Sequence, residues 1–268
     1  MTGRFLIVLV SAGLALMAFG LASAAPARAP FAVRSTLDRK TVLPHRIRWL
    51  AFPHVPTSQV REVEFLIDGK VRWIEHNAPY SYSDDGGLLV TTWLGPGPHR
   101  FTVRATSTSG RKATDTVIAR VVALPSLPTA LSGSWRREIV TPVPPDPSYP
   151  GDAVPAGTWT LVFAPRWIES HFPGSFNPAT SPKTGAGNVL LNDYIPGASR
   201  ITLYGAVTTG LFNAHAAAGG GWWCGPGGPK ATYSWSVSGD TLTLTPTRGR
   251  DACSQRGGVF GGKWTRAG

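Results

Sequence analysis

The chain has 268 residues, with 26 Lys and Arg against 15 Asp and Glu, for a formal charge of +11. That length accommodates two domains, each large enough for its own core. The basic residues are mostly Arg spread along the chain without a dense run, so they read as solubility and composition. Nucleic acid is therefore excluded as the expected partner, while an anionic wall polymer stays open.

The chain starts with Met1-Thr2-Gly3-Arg4, is nearly all apolar from Phe5 to Leu21, and then reads Ala22-Ser23-Ala24 before Ala25-Pro26. A basic start, an apolar stretch and a small-x-small site predict a secretory leader, residues 1–24, cleaved after Ala24. The alternative is an uncleaved anchor, which Ser11, Gly13 and Gly20 weaken. No twin arginine precedes the stretch, and no Cys follows it to accept a lipid. The expected protein is secreted, extracellular or wall-associated, with no stable membrane insertion once the leader is removed.

Short alternating segments fill the chain from residue 31 to Val122. Val63, Phe65 and Ile67 alternate with polar neighbours up to Asp68-Gly69, and Val71 and Trp73 resume the pattern, which predicts a hairpin with a tight turn. Leu88 to Leu94 is a mostly apolar run closed by Gly95-Pro96-Gly97-Pro98. Phe101, Val103 and Ala105 then alternate before Ser109-Gly110, and a last strand spans Thr114 to Val122. Strands of this length and spacing predict a sandwich.

The segments Val63-Glu64-Phe65-Leu66-Ile67-Asp68-Gly69, Ala78-Pro79-Tyr80 and Gly97-Pro98-His99-Arg100-Phe101-Thr102-Val103-Arg104-Ala105, followed by Gly110, resemble the bacterial immunoglobulin-like modules appended to secreted enzymes and surface proteins. The resemblance covers residues 31–123 and implies scaffold residues with no catalytic group. No Cys lies in this segment, so apolar packing alone must hold its sheets together.

Residues 124–130 contain two prolines and no charge, which predicts a stiff linker and a domain boundary. The second domain, residues 131–268, opens on Leu131-Ser132-Gly133-Ser134-Trp135 and meets a proline-rich loop from Thr141 to Pro155. Strands are predicted over 157–163, 201–206, 232–237, 241–245 and 258–265. The clearest pair is Tyr233 to Val237 and Thr241 to Thr245 around Ser238-Gly239-Asp240, with aromatic and aliphatic residues on one face and Ser and Thr on the other. The expected domain is an antiparallel barrel with one wet outer surface, and the expected fold class is all-β.

Gly133-Ser134-Trp135 or Gly157-Thr158-Trp159 at the start, with Gly262-Lys263-Trp264-Thr265-Arg266 at the close, resemble the strand patterns of lipocalin-like barrels and related secreted actinobacterial domains. The resemblance implies that Trp135 or Trp159 plugs one barrel end and meets Arg266 or Arg256. The other lipocalin signature segments are missing, and the proline-rich insertion has no counterpart.

Cys224 and Cys253 are the only cysteines. In an oxidising compartment an even pair reads as one disulfide, the alternative being two buried thiols. Seven of the ten tryptophans fall in the second domain, and most must fill its core. Trp222 and Trp223 differ, lying between Gly219-Gly220-Gly221 and Cys224-Gly225-Pro226. On such a loop one indole can pack while its neighbour meets a ligand, and stacking suits sugars or apolar molecules. Trp167, His171, Phe172 and Asp193-Tyr194 are placed around the same barrel mouth, in irregular segments; Trp167, His171 and Tyr194 are the candidate wall residues.

Chemistry is not expected. The six histidines show no ligand spacing, so no metal and no cofactor is predicted. Gly257 and Gly262-Lys263 match the spacing of a phosphate-binding loop, but Trp264 stands where the Ser or Thr should be. No Gly-x-Ser-x-Gly elbow occurs. The function expected is a secreted, non-catalytic binding protein whose barrel mouth takes a small apolar or aromatic molecule or a glycan, with the immunoglobulin-like module as spacer or docking domain. Its rivals are a structural or adhesive surface protein and a secreted hydrolase.

Overall fold

The structure is a computed structural model that describes residues 31–83, 87–145, 147, 153–174, 189–206 and 228–267. The predicted leader lies outside the described residues, as do Trp222, Trp223 and Cys224. Among the described residues no helix is long and apolar enough to cross a membrane.

The alternating segments form strands, as predicted. In the first half β1 (Val33–Ser35) pairs with β4 (Ala51–Pro53), and β3 (Arg46–Arg48) pairs with β7 (Leu88–Val90). A five-stranded sheet has the order β2 (Val42–Leu43), β9 (Lys112–Val121), β8 (Gly97–Ser107), β5 (Val60–Ile67) and β6 (Lys70–Glu75). Asp68 and Gly69 between β5 and β6 take φ of 52° and 78°, the left-handed pair that a two-residue hairpin turn needs. Trp49 organises the core between the sheets, with Phe65 5.0 Å and Phe101 5.7 Å away edge-on and Tyr82 stacked at 5.3 Å. These rings supply the cohesion that a cysteine-free sandwich requires.

The second half is a closed eight-stranded barrel in which each strand pairs with the next in sequence. Its strands are β10 (Gly133–Ile139), β11 (Gly157–Phe163), β12 (Trp167–His171), β13 (Val189–Ile195), β14 (Arg200–Ala206), β15 (Ala231–Ser238), β16 (Thr241–Pro246) and β17 (Gly262–Arg266). β17 closes on β10 with Trp135 opposite Arg266.

Strict alternation of direction sorts the connections. At one end they are short: 164–166, 196–199 and 239–240. At the other, here called the rim, the strands are joined by residues 140–156, 172–188, 207–230 and 247–261.

Three barrel strands, β10, β11 and β17, start with Gly-x-Trp, and the motif has one geometry. Gly133, Gly157 and Gly262 take φ of 100°, 122° and 118°. Each following indole N–H donates to a carbonyl oxygen four residues back: Trp135 to Leu131 at 2.9 Å, Trp159 to Pro155 at 3.0 Å and Trp264 to Phe260 at 3.2 Å. The positive φ turns the chain so that the indole points inward with its polar atom satisfied.

The strand predicted over 258–265 is in fact two elements. A helix, α1 (Ser254–Phe260), precedes β17. Val259 and Phe260 are adjacent and both fully buried in the barrel core, whereas neighbours on a strand point to opposite faces. A helical turn instead puts Gln255, Arg256, Val259 and Phe260 on one buried face. The alternation starts only at Gly262.

Candidate functional site

The inward positions of the barrel form one contiguous cluster that includes Trp135, Trp159, Tyr194, Tyr233 and Trp264. Both ends are stoppered. At the rim, α1 inserts Val259 and Phe260, and the Arg137 guanidinium donates to the carbonyl oxygens of Gly258 and Val259, at 3.3 Å each, and of Gly261. Burial holds the Arg137 pKa below its usual value. At the opposite end Arg266 lies over Trp135, its guanidinium carbon 4.2 Å from the ring centroid. This is one of the pairings that the lipocalin resemblance implied.

The candidate wall residues do not converge. Trp167, His171 and Tyr194 lie on β12 and β13 instead of irregular segments. Tyr194 points into the barrel, is fully buried, and donates its hydroxyl to the Ala164 carbonyl oxygen at 2.7 Å, at the end away from the rim. Trp167 and His171 point outward, Trp167 at the far end of β12 and His171 at the rim. Of the three, His171 alone stands at the end from which the connection carrying Trp222 and Trp223 departs.

The outer wall is not uniformly wet. Outward residues Thr160, Val162, Glu169, His171, Leu191 and Asp193 are all buried. His171 Nε2 lies 2.9 Å from Glu169 Oε2, and the Trp167 indole donates to Glu169 Oε1 at 3.4 Å. Nothing in the local pattern marks this row, because β12 reads Trp-Ile-Glu-Ser-His, with polar side chains on both faces.

Part of that wall packs on the sandwich. Arg46 of β3 lies over the Tyr204 ring at 5.4 Å and donates from Nη1 to the Gly228 carbonyl oxygen at 2.9 Å. Asp193 is fully buried, and its Oδ2 has no hydrogen-bond partner among the described residues. Burial raises its pKa well above the usual carboxylate value, and the approach of Thr92 from the sandwich offsets part of that rise. The buried Tyr82 hydroxyl, also raised by burial, feels both Arg72 and Asp193.

On the other side of the barrel the wall is open. A groove of about 1070 Å³ runs between the end of β16 and the start of β17, lined by Thr243, Thr245, Arg248, Arg250, Ser254 and Lys263 among others. A smaller recess of about 170 Å³ shares Arg248 and Arg250 with it and adds Lys230. A third recess, of about 540 Å³, shares Lys263 and adds Arg136 and Glu138. Asp251 also lines the groove, but its carboxylate is buried and taken up by Arg256, which donates from Nε and Nη2 at 2.7 Å each, and by the Tyr233 hydroxyl at 2.6 Å. Glu138 accepts from the Thr158 hydroxyl at 2.6 Å. Among the described residues Arg136, Lys230, Arg248, Arg250 and Lys263 form no salt bridge.

No group of His, Cys, Asp and Glu with metal-binding geometry occurs among the described residues. No protein-family model matches the chain, and no curated protein matches it. Among solved structures, the fibronectin(III)-like modules of Clostridium thermocellum CbhA are similar at 22% identity, covering 34% of this chain and 96% of theirs, with a TM-score of 0.27.

Proposed function

We propose that the chain is a secreted, non-catalytic binding protein of two domains. An immunoglobulin-like sandwich, residues 31–123, serves as spacer or docking module, and a lipocalin-like barrel, residues 131–268, carries the ligand surface at its rim. The observation that supports this reading is the asymmetry of the barrel. Its short turns lie at one end, while α1, the open groove and the strand ends that bound its long connections lie at the other. With the interior occupied by aromatic side chains, a ligand is held at the rim and not inside the barrel.

The rim ligand is a small apolar or aromatic molecule or a glycan, stacked on Trp222 and Trp223 with His171 nearby. A bridge between Cys224 and Cys253, the residue before α1, joins the segment carrying the tryptophans to the start of the helix; no described cysteine is free. The test follows tryptophan emission and melting temperature during titration with oligosaccharides and with apolar fluorophores, for the parent, Trp222→Ala and Trp223→Ala. Binding that raises the melting temperature and weakens at least tenfold in either variant supports the reading. No thermal shift with any ligand overturns it.

One observation favours the adhesive alternative. Val42 on β2 and Ile118 on β9, with Val122 just beyond β9, are 51%, 61% and 42% exposed. Val42 pairs with Arg120, so the three share the outer face of the sheet. Chemical cross-linking that links the sandwich through this face to a surface component, unchanged by the tryptophan substitutions, identifies that role.

A further inference from the structure

We infer that the groove between β16 and β17 binds an anionic glycan, a polysaccharide bearing carboxylate or phosphate groups along its length. This goes beyond the proposed function and rests on it only in placing a ligand surface at the rim, here on the side of the barrel away from His171.

The first support is charge. Lys230, Arg248, Arg250 and Lys263 line the groove and the recess that adjoins it, and Arg136 lines the recess beyond Lys263. All five side chains are exposed and none has a carboxylate partner among the described residues. Of the two acids in the linings, Asp251 is taken up by Arg256 and Tyr233 from behind, and Glu138, which accepts from the Thr158 hydroxyl, is the one carboxylate left against five cations. A concave surface with uncompensated cations and low-dielectric walls concentrates field and attracts polyanions.

The second support is the array of hydroxyls between the cations. Thr243 and Thr245 project from β16, Thr265 from β17 and Ser254 from the start of α1. Hydroxyls that both donate and accept match sugar hydroxyls, while the cations match the acidic groups. Sugar residues carry such hydroxyls along the whole polymer, which favours a glycan.

Shape is the third support. The groove and the recess beyond Lys263 are open, the smaller recess is more enclosed, and neighbours share lining residues, Arg248 with Arg250 and then Lys263. A surface open over most of its length suits a chain that lies along it, not a compact molecule that must be enclosed.

The test uses the full protein and four probes: polygalacturonate as the carboxylate source, phosphorylated dextran as the phosphate source, neutral dextran, and a single-stranded oligonucleotide. Binding is measured by calorimetry across a salt series for the parent, for R248Q/R250Q/K263Q in the groove, and for K40Q/K70Q/K112Q, which removes equal charge from exposed sites on the sandwich. The expected result is binding of one or both anionic polymers, at least about tenfold weaker in the groove variant with a shallower salt dependence, and within about twofold of the parent in the sandwich variant. The preferred polymer identifies the acidic group. Equal loss in both variants, or binding of the oligonucleotide alone, overturns the inference. Equal binding of dextran and the anionic polymers also overturns it while leaving a rim-binding protein in place, and no binding to any probe together with no thermal shift removes both readings.

Discussion

Arg266 and Trp135 face each other across the seam where β17 closes on β10, with the guanidinium carbon 4.2 Å from the indole centroid. The contact does three things at once. It covers the ring of a fully buried tryptophan. It also lets Nη1 and Nη2 donate to the Ser132 and Ala130 carbonyl oxygens at 3.2 Å each, which anchors the incoming chain. And it packs over Gly133, where an added Cβ would lie 3.3 Å from Nη1.

The seam contact predicts an asymmetric pair of substitutions. Arg266→Lys retains the charge but loses the planar face and the forked donors, and Arg266→Ala loses all three; losses of about 1 and 2 kcal/mol are expected by urea unfolding. Trp135→Ala should cost about 3–5 kcal/mol, because a large buried ring leaves a cavity. A loss below about 0.5 kcal/mol for Arg266→Ala would mean that the backbone seam alone closes the barrel.

The Asp251–Arg256 pair makes the second case. Arg256 is buried on α1 and donates twice to Asp251, whose Oδ1 also accepts from the Cys253 amide at 2.9 Å. A further Arg256 bond, from Nη2 to the Pro229 carbonyl oxygen at 2.7 Å, ties the entry to β15 to the helix. Arg256→Ala leaves a buried carboxylate uncompensated and should cost about 3–5 kcal/mol. Arg256→Ala combined with Asp251→Ala should recover part of that loss, since the unpaired charge goes with its partner. Urea midpoints of the single and double variants measure the recovery, and a double variant no better than the single one contradicts the assignment.

How far the sequence reached depends on how local the information was. The hairpin of β15 and β16 was readable because Tyr233, Trp235 and Val237 face Leu242 and Leu244 across a two-residue turn, so one face is specified within a dozen residues. The Gly-x-Trp starts were readable for the same reason. The buried outer wall was not. Glu169, His171 and Asp193 are polar on the outside of a barrel and read as solvent-facing; Asp193 is met by Thr92 from about a hundred residues away in the chain, and Arg46 packs on the same wall at Tyr204. Helix α1 was missed because Arg256, Gly257 and Gly258 give no apolar period until Val259 and Phe260 are seen to be buried together. Among the site candidates, Trp167 and Tyr194 were separated from His171 by strand direction, which emerges only once the barrel order is known.

The cysteine assignment predicts a redox effect. Cys253 is fully buried beside α1, and closing the loop back to Cys224 would stabilise the fold by about 3–4 kcal/mol. Reduction under native conditions, or Cys253→Ser, should lower the urea midpoint by a corresponding amount, and mass analysis without reduction should show the chain two hydrogens lighter than the dithiol form. Two thiols that react with a labelling reagent after unfolding without reductant would establish the dithiol form instead.

Asp193 predicts how stability depends on pH. Its carboxyl is buried where the barrel wall meets Thr92, near Tyr82 and Arg72, and its folded pKa lies well above the usual carboxylate value because burial disfavours the charge. A group that binds its proton more tightly when folded contributes its full stabilisation below the unfolded carboxyl value, about 3.9. That contribution is lost progressively as pH rises towards the folded value, since the unfolded chain releases the proton first. Asp193→Asn keeps the shape without the charge, so it should match the parent near pH 4 and exceed it by about 1–3 kcal/mol at pH 7. Urea unfolding of both proteins at half-unit steps from pH 4 to 8 traces the difference. Parallel curves would mean that Asp193 is charged in the folded protein at neutral pH, and would require a cation at the junction to compensate it.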